Sequence, residues 1–226
     1  MKTAIMQPYF FPYLGYFQLI HAVDQFIFLD NVNYIKRGWI HRNRIMTKSG
    51  IIYFGASTSK SSQFQKINEV KIVADEKWRN KLLKTLRHAY GSAINFEAVN
   101  ALVKDALETN TSYLSEICKK GIGNICKYLE INTNLIDSSQ DYNTSDLRGQ
   151  QRILKICKDS SASHYINPTG GRDLYDYDIF ERQGIKLNFI QMKKIDYENQ
   201  SLSIIDILMH CKKESIQSYL HEYTLS

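Results

Sequence analysis

Between Gln7 and Arg44 the chain collects residue types that handle ligands and protons. Gln7 opens the run Gln7-Pro8-Tyr9-Phe10-Phe11-Pro12-Tyr13-Leu14-Gly15-Tyr16-Phe17, in which two prolines fix an extended turn and Tyr9 offers a stacking face. The same aromatics could equally seal one end of a core. Asp30, with Asn31 and Asn33 beyond it, provides a carboxylate able to orient a hydroxyl, accept a proton or hold an amine; it could also cap a turn. Lys36, Arg37, Arg42 and Arg44 then surround Trp39, His41 and Asn43. Guanidinium forks match phosphate oxygens and an indole stacks on a base or sugar, although a solvated basic face would show the same charges.

A second constellation runs from His164 to Tyr175 and contains Tyr165, Asn167, Thr169, Gly170, Gly171, Arg172 and Asp173. Adjacent glycines allow close backbone approach to a ligand, or a tight left-handed turn. A lone His164 beside a strand is as compatible with a hydrogen-bonded structural histidine as with a base. In a third stretch, Tyr197-Glu198-Asn199-Gln200 precedes Leu202-Ser203-Ile204-Ile205-Asp206. Asp206 stands three residues after Ser203, which is capping-box spacing on an apolar helix; the alternative is a carboxylate facing a cleft beside Asp30 and Tyr165.

The elements that would position these groups alternate between short strands and longer helices, which predicts an α/β fold with a largely parallel sheet flanked by helices. Strands are expected at residues 3–6, 26–29, 51–54, 70–73, 134–137, 165–166 and 185–191. Helices are expected at 13–23, 76–90, 96–108, 111–129, from a Thr144 or Ser145 cap to 158, at 176–183 and at 204–210. The chain thus begins βαβ and has a helical middle. One domain over residues 1–226 is the default at this length, with residues 76–130 as a helical sub-lobe. The first helices and strands put Gln7, Asp30 and the Arg42-Asn43 pair on one sheet edge, so these groups are expected to line one cleft.

With 43% hydrophobic and 23% charged residues, disorder is excluded. Neither a membrane-spanning apolar run nor a signal peptide is evident, which predicts a cytoplasmic protein without a membrane partner. Cys118, Cys126, Cys157 and Cys211 are scattered without a CxxC pair, so neither a zinc site nor a disulfide framework is expected. GxGxxG and GxxxxGK[ST] are both missing, and no cofactor is called for. Net charge is +6, an excess that favours anionic partners.

Four ordered blocks carry a family resemblance: residues 7–17, Trp39-Ile40-His41-Arg42-Asn43-Arg44-Ile45, Tyr165-Ile166-Asn167-Pro168-Thr169-Gly170-Gly171 with Leu174-Tyr175, and Leu202-Ser203-Ile204-Ile205-Asp206. Together they resemble the WbqC-like protein family, with Asp173 where a glutamate is expected and Asn33 where a glutamine is common. Members occur in bacterial O-antigen and other surface-polysaccharide clusters, and some are described as glycine or aminoacyl transferases acting on an amino sugar. The resemblance implies a transferase that joins an activated amino acid, glycine first, to the amine of a nucleotide-linked amino sugar. A non-catalytic module that presents a nucleotide sugar to a separate transferase is the alternative.

On that reading Asp30 is the first candidate to position or deprotonate the amine, with His41 and His164 in reserve. Lys36, Arg42 and Arg44 would neutralise phosphates, Trp39 or Tyr9 would stack, and Gly170 and Gly171 would present N–H donors, with Gln7, Asn43, Tyr165 and Asn167 completing the contacts. Aminoacyl-tRNA is the favoured acyl donor because residues 76–90 form a cationic helix; acyl-CoA and an ATP-activated acid stay open. Asp206 is expected to cap its helix rather than to act in chemistry.

Overall fold

The computed structural model describes residues 1–62 and 64–226. Strand β1 (Lys2–Met6) passes through helix α1 (Leu14–His21) to β2 (Gln25–Phe28), which lies parallel to it. A hairpin of β3 (Arg42–Thr47) and β4 (Gly50–Gly55) follows, and then helices α2 (Lys77–Tyr90), α3 (Phe96–Leu107) and α4 (Leu114–Tyr128). The chain re-enters the main sheet at β5 (Asn134–Ile136) and continues through α5 (Gly149–Asp159), β6 (His164–Pro168), α6 (Tyr177–Arg182) and β7 (Lys186–Met192). Helices α7 (Ile204–His210) and α8 (Lys213–Tyr219) lead to β8 (Tyr223–Leu225).

The main sheet has the order β5-β2-β1-β6-β7-β8, parallel except for β8. Numbered among themselves in chain order, these strands lie 3-2-1-4-5-6, the order of doubly wound nucleotide-binding sheets. The α/β class, the βαβ opening and the helical middle are as the alternation of segments implies. Consecutive strand residues face opposite ways. Ala4, Phe26, Phe28, Ile166 and Ile190 therefore pack with α1, α2, α3, α4 and α7, whereas Ile5, Ile27, Tyr165, Leu187 and Phe189 pack with α5 and α6. Right-handed crossovers account for the two faces: the chain moves one way from β1 to β2 and the other way from β5 to β6, so α1 and α5 fall on opposite sides.

Three local expectations fail. Residues 70–73 form isolated bridges, Lys71 with Tyr113 and Ile72 with Thr58, rather than a strand; Val70 and Ile72 are buried, so the alternation reported burial without pairing. Helix α5 starts at Gly149 with Arg148 before it, and neither Thr144 nor Ser145 caps it. Asn167 and Pro168 belong to β6, and Thr169–Leu174 is a 3-10 turn with Gly170 and Gly171 at negative φ, so the left-handed turn is absent there.

The proline-aromatic loop after β1 is clamped to the hairpin. Asn43 is buried on β3, and its amide donates to the carbonyls of Phe10 (3.2 Å) and Phe11 (2.8 Å). The Ser203 hydroxyl donates to the Phe11 carbonyl as well, at 2.7 Å. These contacts hold Phe11 at φ 41°, a region bulky side chains rarely adopt. Asn43→Ala leaves the Phe10 carbonyl buried without this donor and should cost about 1–3 kcal/mol in urea unfolding. A change under about 0.5 kcal/mol would show that the clamp carries no energy.

Candidate functional site

All parallel strands point the same way, so Gln7, Asp30 and the turn after β6 share the carboxyl edge of the sheet. Chain connections leave β1 and β5 in opposite directions, which opens a crevice beyond the end of β1. A cavity of about 510 Å³ lies there between Leu29, after β2, and Leu174-Tyr175, after β6. Asn31, Asn33, Lys66, Arg148 and Arg152 line it without any carboxylate. An adjoining hollow of about 640 Å³ shares Asn31, Lys66 and Ser145 and adds Asn68, Glu69, Lys71 and Tyr113.

Helix α5 aims its first turn at this crevice. Gly149 lies on the wall at φ 51°, and no atom sits within 4 Å of where a Cβ would stand, so a ligand can approach the backbone closely. No acidic side chain occupies that first turn. Arg152 donates to the carbonyls of Thr144 (3.1 Å), Ser145 (3.4 Å) and Asn31 (3.5 Å), one from each guanidinium nitrogen, and its pKa is lowered by burial and by the neighbouring Arg148 charge. Two guanidinium groups beside a helix N-terminus make a place where negative charge is stabilised.

Asp30 sits on the same edge but is engaged. It is buried, its Oδ2 lies 2.8 Å from Lys119 Nζ, and its Oδ1 accepts from the Ser138 hydroxyl at 2.6 Å. Burial pulls the Lys119 pKa down, but hydrogen bonds and charge from Asp30 and Glu116 outweigh it and leave the net shift upward. Asp30 is thus held as a buried ion pair.

The other groups singled out in the sequence fall into separate places. Tyr9, Trp39 and Asn43 meet around a small cavity of about 190 Å³ with Pro12, Tyr13 and Ser201. Arg42 donates to the Arg37 carbonyl (2.6 Å) and stacks 4.3 Å from the Tyr53 ring centre; Arg44 lies 5.3 Å from the Trp39 ring and donates to the Ser201 carbonyl (3.4 Å). Each guanidinium group lies against an aromatic face and one backbone carbonyl, and each leaves a buried Nε–H without a hydrogen-bond partner. Lys36 is exposed, and Gln7 is half-buried with its carbonyl accepting from the Tyr16 hydroxyl at 2.8 Å. His41 Nδ1 lies 2.7 Å from the Tyr34 hydroxyl, and burial together with the Arg42 charge lowers its pKa.

His164 pairs with Lys2 at the start of β6, on the amino edge, a strand's length from the crevice. Its Nε2 contacts Asn188 Oδ1 at 2.8 Å. Tyr165 is wholly buried, within 3.0 Å of Asn167 Oδ1, so it packs in the core instead of facing a ligand. The Asn167 amide fills the space beside Gly171, where an added Cβ would fall 2.1 Å from Nδ2; Gly170 faces open space. Gln7 and Asp30 share the carboxyl edge, but the side chains expected to line one cleft with them are engaged elsewhere, Asn43 on the aromatic loop and Asp30 on Lys119.

Asp206 does not cap its helix. The Ser203 N–H donates to the Arg44 carbonyl, whereas the Asp206 carboxylate accepts from the hydroxyls of Tyr90 and Tyr197, each at 2.5 Å. It forms the floor of a cavity of about 440 Å³ with Met46, Thr47, Asp196, Glu198, Asn199 and His210, apart from Asp30 and Tyr165. Among the described residues no three His, Cys, Asp or Glu side chains converge to hold a metal, and no helix is long and apolar enough to cross a membrane.

Sequence reasoning missed Lys66, Arg148 and Arg152. The four-residue spacing of Arg148 and Arg152 around Gly149 was the available signal, obscured by starting the helix at residue 144. Lys119→Met should destabilise the protein by about 3–5 kcal/mol, because it strands the Asp30 charge, and adding Asp30→Asn should recover much of the loss. Urea unfolding of the single and double variants measures this; a neutral Lys119→Met would mean that Asp30 is not held by Lys119.

Comparison with known proteins bears on the four sequence blocks. The uncharacterized protein Rv1507c of Mycobacterium tuberculosis (strain ATCC 25618 / H37Rv) is 30% identical over 223 residues, covering 95% of each chain. No solved structure matches. The WbqC-like protein family matches over residues 7–218, which includes the aromatic loop, the β3 arginines, the β6 turn and the start of α7. By that match, the chain belongs to the WbqC-like protein family.

Proposed function

We propose that this protein binds a nucleotide-linked amino sugar in the crevice beyond β1 and acylates its amine with an activated amino acid, glycine being the first donor to test. One observation carries the binding half: at the reversal point of a 3-2-1-4-5-6 sheet, Lys66, Arg148, Arg152 and the start of α5 line a cavity of about 510 Å³ that contains no carboxylate. A diphosphate fits that chemistry, since its oxygens accept from guanidinium forks and from N–H groups of the first helical turn. Asn31 and Asn33 add neutral donors and acceptors for a sugar, and Leu174 and Tyr175 add an apolar wall.

The transfer half is supported by family membership. In that step the amine nitrogen bonds to the acyl carbon, the bond from that carbon to its carrier breaks, and the nitrogen loses one proton. A second reading, a module that presents the nucleotide sugar to a separate transferase, is favoured by the engagement of Asp30: the carboxylate singled out to position the amine is paired with Lys119.

Calorimetric titration with uridine diphosphate and a uridine-diphosphate-linked amino sugar tests the binding half. Arg148→Ala should weaken affinity roughly 10- to 100-fold while shifting stability by no more than about 0.5 kcal/mol. Arg42→Ala should leave affinity unchanged, since its guanidinium faces Tyr53. The reverse pattern would move the site to the β3 arginines. Mass spectrometry of the amino sugar after incubation with activated glycine separates the two readings: a glycylated product supports transfer, and binding without product with any activated donor supports presentation.

A further inference from the structure

The hollow of about 640 Å³ beside the crevice has mostly neutral polar walls, with Asn31, Asn68, Gln140, Thr144 and Ser145 around the partly exposed ring of Tyr113. Two short turns fix these groups. The 3-10 turn Ile67–Glu69 is pinned to the segment after β2, because the Ile67 and Asn68 N–H groups donate to the carbonyls of Val32 (2.9 Å) and Asp30 (3.0 Å). A second 3-10 turn, Ser139–Tyr142, follows β5, and its Ser139 hydroxyl donates to Asn31 Oδ1 at 2.8 Å. The Asn68 amide joins the two turns by donating to Gln140 Oε1 at 3.1 Å.

Two groups on these walls are left unsatisfied by the protein. Thr144 is 1% exposed, and its hydroxyl has no hydrogen-bond partner among the described residues; Asn68 Oδ1 is buried and has none either. Buried polar atoms without partners cost free energy and are few in folded proteins, so two in one hollow mark positions where the hydroxyls of a ligand complete the bonding. Charge adds a third feature. Among the described residues Glu69 is the one carboxylate on the walls of hollow and crevice together. Its Oε2 accepts from the Lys66 N–H at 3.0 Å, and no lysine or arginine forms an ion pair with it. Of the two lysines in the hollow, Lys66 is shared with the crevice, where a phosphate would neutralise it, and Lys71 Nζ lies 5.9 Å from the Tyr113 ring centre.

We propose that this hollow is the sugar subsite of the nucleotide sugar, with Thr144 and Asn68 bonding ring hydroxyls and Glu69 selecting a sugar that carries an amine. Sugar hydroxyls both donate and accept, as the Thr144 hydroxyl and Asn68 Oδ1 require, and the ammonium form of an amino sugar is attracted to a free carboxylate. The assignment rests on the binding half of the reading above and deepens it. Because the hollow and the crevice share Asn31, Lys66 and Ser145, a ligand whose diphosphate meets Arg148 and Arg152 can place its sugar there without leaving the cavity walls.

Calorimetric titration with uridine diphosphate, uridine diphosphate glucose and uridine diphosphate glucosamine separates the subsite from the diphosphate contacts. The glucosamine-linked nucleotide should bind about tenfold more tightly than the glucose-linked one, and Glu69→Gln should remove that preference while leaving uridine diphosphate affinity unchanged. Thr144→Val keeps the shape of the side chain. It should weaken both sugar-linked nucleotides about three- to tenfold, leave uridine diphosphate unchanged and melt no lower than the parent, because the deleted hydroxyl makes no bond within the free protein. A Thr144→Val protein that melts lower but binds as before would make the hydroxyl structural and overturn the assignment. Equal affinity of the unaltered protein for the two sugar-linked nucleotides would overturn it too, as would a preference that survives Glu69→Gln. Should uridine diphosphate fail to bind, glucosamine alone, followed by backbone amide shifts, reads the hollow without the crevice: saturable shifts at Asn68 and Thr144 uphold the subsite and confine the failure to the diphosphate assignment, and no shifts overturn both.

Discussion

Parallel strands cannot be joined by tight turns, and the arrangement of this molecule follows from how its crossovers satisfy that constraint. Leaving β1 in one direction and returning past it in the other puts α1 and α5 on opposite faces of the sheet. It also leaves the end of β1 uncovered by either helix. The start of α5 then opens onto the gap, carrying Arg148 and Arg152, while the segment after β2 contributes Asn31 and Asn33 from the other side. The dinucleotide glycine fingerprint is missing after β1, where Gln7-Pro8 stands; it is helix α5, after β5, whose start opens onto the crevice.

Much of the polar chemistry near this edge holds the scaffold together. Lys119 reaches from α4 to Asp30 and ties the helical middle of the chain to the end of β2. Asn43 and Ser203 bind the carbonyls of the aromatic loop, which links the hairpin, the loop and the start of α7. Arg42 and Arg44 lie against Tyr53 and Trp39. Buried charges and amides of this kind need partners, and once paired they are poor candidates for moving a proton on substrate.

The fold was largely legible because hydrophobic periodicity and turn residues report local structure directly. Ser203 does accept from the Ile205 N–H, as its position before an apolar helix suggests, and Asp176, expected as the first residue of its helix, stands just before α6 as its cap. Strand β3 was hidden because its inward positions are Asn43 and Ile45, so half of its buried face is polar. The site was less legible for a related reason. Residue type identifies groups able to bind or react, but whether Arg42 meets a phosphate or Tyr53, and whether Asp206 meets its own helix's first N–H groups or two tyrosines and the Met46 N–H, depends on partners 9 to 160 residues away, beyond the reach of local spacing.

The central claim is that an anionic nucleotide occupies the crevice at the end of β1. Backbone amide shifts of isotope-labelled protein, recorded as uridine diphosphate is added, test it most directly. The account predicts saturable shifts centred on Asn31, Gly149, Gln150 and Leu174, while the amides of Trp39 to Arg44 and those near His164 stay in place. Shifts confined to Tyr9 and the Trp39 to Arg44 segment, with the α5 amides unmoved, would contradict it.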